Sequence, residues 1–150
     1  MSIKEIKICI HQPDFIPYIG FFNKISKSDF FVIMDNVQLS KSGWTHRDKI
    51  KTKKGVEWLT IPIKKINFKQ KINEIKISND KDWKKKHLNL IYENYKDSKF
   101  YTEIIEVIKE IYLFETSYLF EFNLNAINII LELLDIKTNI KLLNKIDAKG

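Results

Sequence analysis

The sequence predicts an α/β fold: a three-layer, Rossmann-like, mostly parallel sheet with an inserted β-hairpin, followed by three helices. Two short apolar runs, residues 6–10 and 30–34, each end in a polar cluster, as buried strands do. Between them Tyr18, Ile19, Phe22 and Ile25 recur at helical spacing. Strand, helix and strand within about thirty residues make a right-handed crossover and a parallel pair.

In chain order, the first strand ends at the polar tripeptide His11-Gln12-Pro13. Pro13 and Pro17 forbid regular pairing and continuous helix before residue 17, so the first helix is expected from there to about Lys27. Residues 30–34 form the second strand, which stops at Asp35 and Asn36. Residues 40–45 have loop composition, with Ser42 and Gly43 allowing a turn. Residues 47–63 read as two strands around Lys53-Lys54-Gly55, a hairpin. Another short strand is expected at 72–77, where Ile72, Ile75 and Ile77 supply buried positions. Three helices follow. The first runs over about 82–95, capped by Asn79 or Asp80; the second spans about 100–112, with Ile104, Ile105, Ile108 and Ile111 on one face. The third, about 117–134, is apolar over more than half its circumference and is expected to be the most buried. A last strand begins at Asn139, and Ala148-Lys149-Gly150 reads as a turn with no element to close it.

At 150 residues the chain suits a single α/β domain, 1–150, able to bury roughly 70% of the surface of its unfolded state. Cys9 is the sole cysteine, which excludes an internal disulfide and suits a small buried hydrophobe better than a reactive thiol. Residues 1–7 are charged and lead straight into a strand pattern, without a signal sequence, so a cytoplasmic protein is expected. Residues 119–134 are interrupted by Glu121, Asn123, Asn125, Asn128 and Glu132, which argues against membrane insertion. The net charge of +7 invites a nucleic-acid reading. Every basic residue but Arg47 is lysine, however, and base reading favours arginine, so no nucleic-acid partner is expected.

Ligands of open α/β sheets sit beyond the carboxyl ends of the strands, where His11, Gln12, Asp35, Asn36 and Gln38 fall. An imidazole there can act as general base, or it can simply cap the strand end. Gln12 could orient a substrate carbonyl. Gly20 sits just inside the first helix at a cost of roughly 1 kcal/mol, which close approach of a ligand or of neighbouring backbone would offset. Lys24, one turn on, could reach a phosphate, although a solvated lysine is the plainer reading. Trp44, His46, Arg47, Lys49 and Lys51 form a basic and aromatic cluster, in which Arg47 suits bidentate recognition of phosphate or carboxylate. His87 lies between Trp83 and Ile91 on a semi-apolar stripe that favours helix packing over catalysis. No metal-ligand spacing, phosphate loop or nucleophile elbow is present.

His11-Gln12-Pro13, Pro17-Tyr18-Ile19-Gly20-Phe21-Phe22, Lys24, Asp29 and the stretch from Asp35 to Gln38 together resemble the WbqC-like proteins. Trp44, Arg47, Ile50-Lys51-Thr52, Trp58-Leu59-Thr60, Pro62, Ile72-Asn73, Trp83, Lys86-His87 and Tyr95 extend the resemblance along the chain. It implies a place in bacterial O-antigen or other surface-glycan biosynthesis, and an acyl or glycine transferase acting on an amino sugar. Catalysis would then fall to His11, Gln12 and Asp35. Substrate binding would fall to Tyr18, Gly20, Lys24, Asn36, Gln38, Trp44, Arg47, Lys51 and His87. No bound cofactor or metal is expected; the donor would be an acyl thioester of coenzyme A or of an acyl carrier protein, and the acceptor a nucleotide-linked sugar or other glycan precursor. Family members typically continue into a Glu-Arg-Leu helix and a Tyr-Leu-Ser-Gly strand end, so the resemblance also implies that a C-terminal part is missing. A non-catalytic scaffold for a glycan enzyme or carrier is the alternative. A looser pattern analogy with adenylyl-transferring folds makes nucleotidyl transfer a remoter one.

Overall fold

The apolar runs on either side of the first helix pair as expected, because their hydrocarbon can leave water only by sharing a sheet face with that helix. In the computed structural model, residues 5–40, 43–67, 69–78 and 82–146 are described. β1 (Ile8–His11), α1 (Ile19–Ser26) and β2 (Phe30–Ile33) form the crossover. β3 (Arg47–Thr52) and β4 (Gly55–Thr60) form the antiparallel hairpin, whose two-residue turn ends on Gly55 at φ 121°, a conformation that favours glycine. α2 (Trp83–Tyr95), α3 (Tyr101–Leu113) and α4 (Leu119–Leu133) precede β5 (Asn139–Leu142). Ser42, the expected caps Asn79 and Asp80, residues 1–4 and the expected terminal turn at 148–150 lie outside the described residues.

The sheet has the order β1-β2-β5, and both pairings are parallel, with Ile8 opposite Phe30 and Phe30 opposite Asn139. Both steps across the sheet run in the same direction, so right-handed crossovers place both connections on the same face. That face carries Cys9, Phe31, Ile33, Ile140 and Leu142, which pack with Phe21 and Phe22 of α1 and with Phe122, Ile127 and Leu131 of α4. Ile8 and Ile10 point to the other face and are 61% and 53% exposed. Val32, opposite Ile10 on that face, is buried, and the described residues form the mixed α/β fold expected: a parallel sheet, a β-hairpin and four helices.

A second correction concerns residues 72–77. Ile72, Ile75 and Ile77 are buried as expected, but Ile72–Glu74 is a 3₁₀ turn, and only isolated bridges, Ile63 to Ile77 and Lys76 to Tyr118, mark the remainder. Alternating burial here serves a segment threaded between the hairpin exit and α4. The Leu119 N–H donates to the Ile75 carbonyl at 2.9 Å, and the Ile77 N–H to Ser117. α4 is the most buried helix, with seven buried residues.

Candidate functional site

β1 delivers His11 on the packed face, where the next residues leave the sheet because Pro13 cannot donate to a ladder. The imidazole stands edge-on to Phe21, with ring centroids 5.2 Å apart. Its Nδ1 lies 2.9 Å from the Gln12 carbonyl and 3.7 Å from Asp14 Oδ2. A carbonyl oxygen can only accept, so the neutral ring carries its proton on Nδ1 and donates it there, which leaves Nε2 with a free lone pair. Asp14 is nearly buried, and burial pushes its carboxyl up; the imidazole of His11 and the ammonium of Lys24 oppose that shift, while Asp48 adds to it. His11, Asp14, Lys24 and Asp48 thus share one electrostatic neighbourhood. Asp14 was not among the residues expected from sequence; its place three residues after His11 in a proline-bracketed loop was the available signal.

The loop is pinned from two sides. The Phe15 N–H donates to the Trp44 carbonyl at 3.0 Å. Asn123 of α4, completely buried, donates from Nδ2 to the carbonyls of Pro13 at 2.8 Å and Thr45 at 2.6 Å. This ties the residue 44–47 segment to the loop of the His11–Asp14 dyad. Thr45 Oγ1, His46 Nδ1, Arg47 Nε and Asn123 Oδ1 are buried polar atoms with no hydrogen-bond partner among the described residues. Each such atom costs about 1–3 kcal/mol, and such atoms mark places that water or ligand completes. His46 is held below its ordinary pKa by burial and then by the neighbouring guanidinium. Outside this knot Trp44 and Trp58, both nearly half exposed, stand 5.5 Å apart. The Arg47 guanidinium lies 4.5 Å over the Trp58 ring, and the Lys49 ammonium 5.0 Å from it. Arg47, Lys49 and Lys51 alternate along β3, so they share a hairpin face with Trp58 and leave Asp48 and Ile50 on the other.

The other expected site residues separate into several groups. Gln12 contributes its backbone carbonyl to His11. Asp35 is 1% exposed; Asn73 Nδ2 donates to one of its oxygens at 3.3 Å and the Asn144 N–H to the other at 3.0 Å. Those bonds make it a brace between the 72–74 turn and the end of β5. It lines a polar hollow of about 430 Å³ with Glu74, Lys76, Tyr118 and Glu121, and His11 is not part of that lining. Asn36 is half-buried, and Gln38 forms an isolated bridge with Lys71. Tyr18 is 62% exposed, and its ring lies over Gly20, where an added Cβ would meet it at 2.2 Å. The group that approaches Gly20 is thus a side-chain ring, not the ligand or neighbouring backbone expected. The Lys51 carbonyl accepts from the Tyr95 hydroxyl at 2.8 Å.

His87 is corrected from the substrate-binding set. It is 7% exposed; Nε2 accepts the Thr60 N–H at 3.1 Å and Nδ1 lies 3.0 Å from the Tyr112 hydroxyl, so no ring nitrogen is left for a substrate. Burial holds its pKa down at about 4. Among the described residues no group of three His, Cys, Asp or Glu converges as a metal set, and no helix is long and apolar enough to cross a membrane.

Comparison with known proteins gives two findings. The profile of the WbqC-like protein family matches residues 12–150. An uncharacterized protein of Mycobacterium tuberculosis is 38% identical over 110 residues, which is 73% of this chain and 47% of that protein. The chain thus spans about half the length of this curated relative. No solved structure matches.

Proposed function

We propose, from the premise that the chain belongs to the WbqC-like protein family, that it transfers an acyl or aminoacyl group, such as glycyl, to the amine of a sugar in bacterial surface-glycan (O-antigen) biosynthesis. The observation that carries the reading is the orientation of His11: Nδ1 is engaged by the Gln12 carbonyl and Asp14, and Nε2 is left as the base. The sugar amine attacks the thioester carbonyl, a C–N bond forms, and the C–S bond breaks. His11 Nε2 takes the proton that the amine loses and returns it to the departing thiolate. Asp14 steadies the transient imidazolium, the role of the carboxylate in hydrolase triads. Trp44 and Trp58 offer flat faces for a sugar or nucleobase, and Arg47 and Lys51 offer charge for the phosphates of a nucleotide-linked acceptor.

The test incubates the protein with a glycyl or acyl thioester and a nucleotide-linked amino sugar, and follows amide formation by mass spectrometry. Product is expected, with His11→Ala lowering turnover by about two or more orders of magnitude. Binding of the sugar nucleotide without product under any donor would favour the scaffold reading, to which the structurally engaged Asp35 also lends support. Near-normal turnover by His11→Ala would remove His11 from the mechanism.

A further inference from the structure

A cavity of about 510 Å³ opens between the β3–β4 hairpin, the three long helices and the loop that carries Asp14. Leu59, Ile105, Ile108 and Ile130 give it a hydrocarbon wall, and Phe100 and Ile104 remain 55% and 41% exposed. Asp48, Lys49, Ser98 and Lys99 supply its polar groups. Phe15 and Ile16 also line it, directly after Asp14, so dyad and cavity share one loop. Ile16 sits at φ 41°, a left-handed backbone that costs a β-branched residue about 1–3 kcal/mol. The fold bears that strain at the cavity wall.

We infer that this cavity binds a straight acyl chain, with its polar, anionic end at the rim, where Lys99 meets it. The volume falls within the range of small-molecule sites. A methylene occupies about the ~30 Å³ of a liquid water molecule, so the cavity holds a chain of roughly 10–14 carbons once imperfect packing is allowed for. The chemistry selects the occupant. An acyl chain has no polar atom along its length, so it covers the hydrocarbon wall without leaving a donor or acceptor unpaired. A second copy of the chain brings another +7 charge to a surface that already carries Lys49 and Lys99. Only the fate of the chain, transfer from a thioester, rests on the function proposed above; its binding does not.

Calorimetry with straight-chain fatty acids from butanoate to hexadecanoate, and with the matching acyl-pantetheine thioesters, tests the inference on the intact protein. Affinity is expected to rise about fourfold per methylene, the factor for ~0.8 kcal/mol of buried CH₂, and to level off near 12 carbons. The same ladder in both series assigns the site to the chain itself; a ladder in the thioesters alone assigns it to a donor. Ile108→Trp and the more exposed Ile104→Trp fill the space and are expected to weaken dodecanoate at least tenfold, with melting temperatures showing that each folds. Affinity independent of chain length, no binding at any length, or wild-type binding by a folded filling variant would overturn the inference. A ladder without any amide product would retain the cavity and sink the transfer reading. Glycyl transfer without a ladder would do the reverse.

Discussion

Acid should destabilise this protein through His87, and the size of the effect follows from the ring's surroundings. Because Nε2 accepts the Thr60 N–H, the neutral ring holds its proton on Nδ1 and donates it to the Tyr112 hydroxyl oxygen. Adding a second proton would set one N–H against another inside a cluster with Trp83, Phe15 and Tyr112. The folded pKa of about 4 lies below the ordinary 6.5, so the unfolded chain binds the proton first. Stability is present above pH 6.5 and is lost as pH falls toward 4. At ~1.36 kcal/mol per pH unit the loss amounts to about 3 kcal/mol, or roughly 6–12 °C in melting temperature for a domain of this size. The assay is thermal unfolding at closely spaced pH values for the wild type and for His87→Gln, whose amide can still accept from Thr60 and donate to Tyr112 but does not titrate. The wild type should lose more stability than the variant across this window by about that amount. Parallel curves would refute the reasoning.

Asp14 has the opposite sign: its folded pKa is raised, so its contribution is present at low pH and lost as pH rises through the folded value. Asp14→Asn should therefore raise the melting temperature at neutral pH while lowering transfer by about tenfold or more, measured on one preparation. Gly20→Ala should be neutral or stabilising by up to ~1 kcal/mol in denaturant titration, since the exposed Tyr18 ring can swing away from the new methyl. Asn123→Ala should cost about 2–4 kcal/mol in the same assay, because it frees two buried carbonyls on two loops. Ile8→Lys with Ile10→Lys should shift stability by no more than ~1 kcal/mol, as both side chains are already more than half in water.

The strand-helix-strand unit, the hairpin and the three long helices were legible because each is announced by local periodicity or by turn residues. The 72–77 segment was not, since alternating burial arises equally from a strand and from an extended thread clasped by Ser117, Leu119 and Pro62. Periodicity tells which residues are apolar, but coverage of the second face depends on the direction in which successive strands are laid down. In the candidate site, position after β1 pointed to His11 and position after β2 to Asp35, yet burial and partners separate them: Asp14 faces the imidazole, and Asn73 and Asn144 occupy Asp35. Asn123 lies more than a hundred residues from the loop it anchors and reads in sequence as a polar break in an apolar helix.

On the proposed mechanism His11 presents a bare Nε2 as the base for amide formation. Long-range ¹H–¹⁵N correlation spectra of the labelled protein test it most directly. The expected imidazole is protonated at Nδ1 in its neutral form, and its Nε2 resonance moves when a nucleotide-linked amino sugar is added. A proton resident on Nε2, or a ring indifferent to the acceptor at saturating concentration, would contradict it.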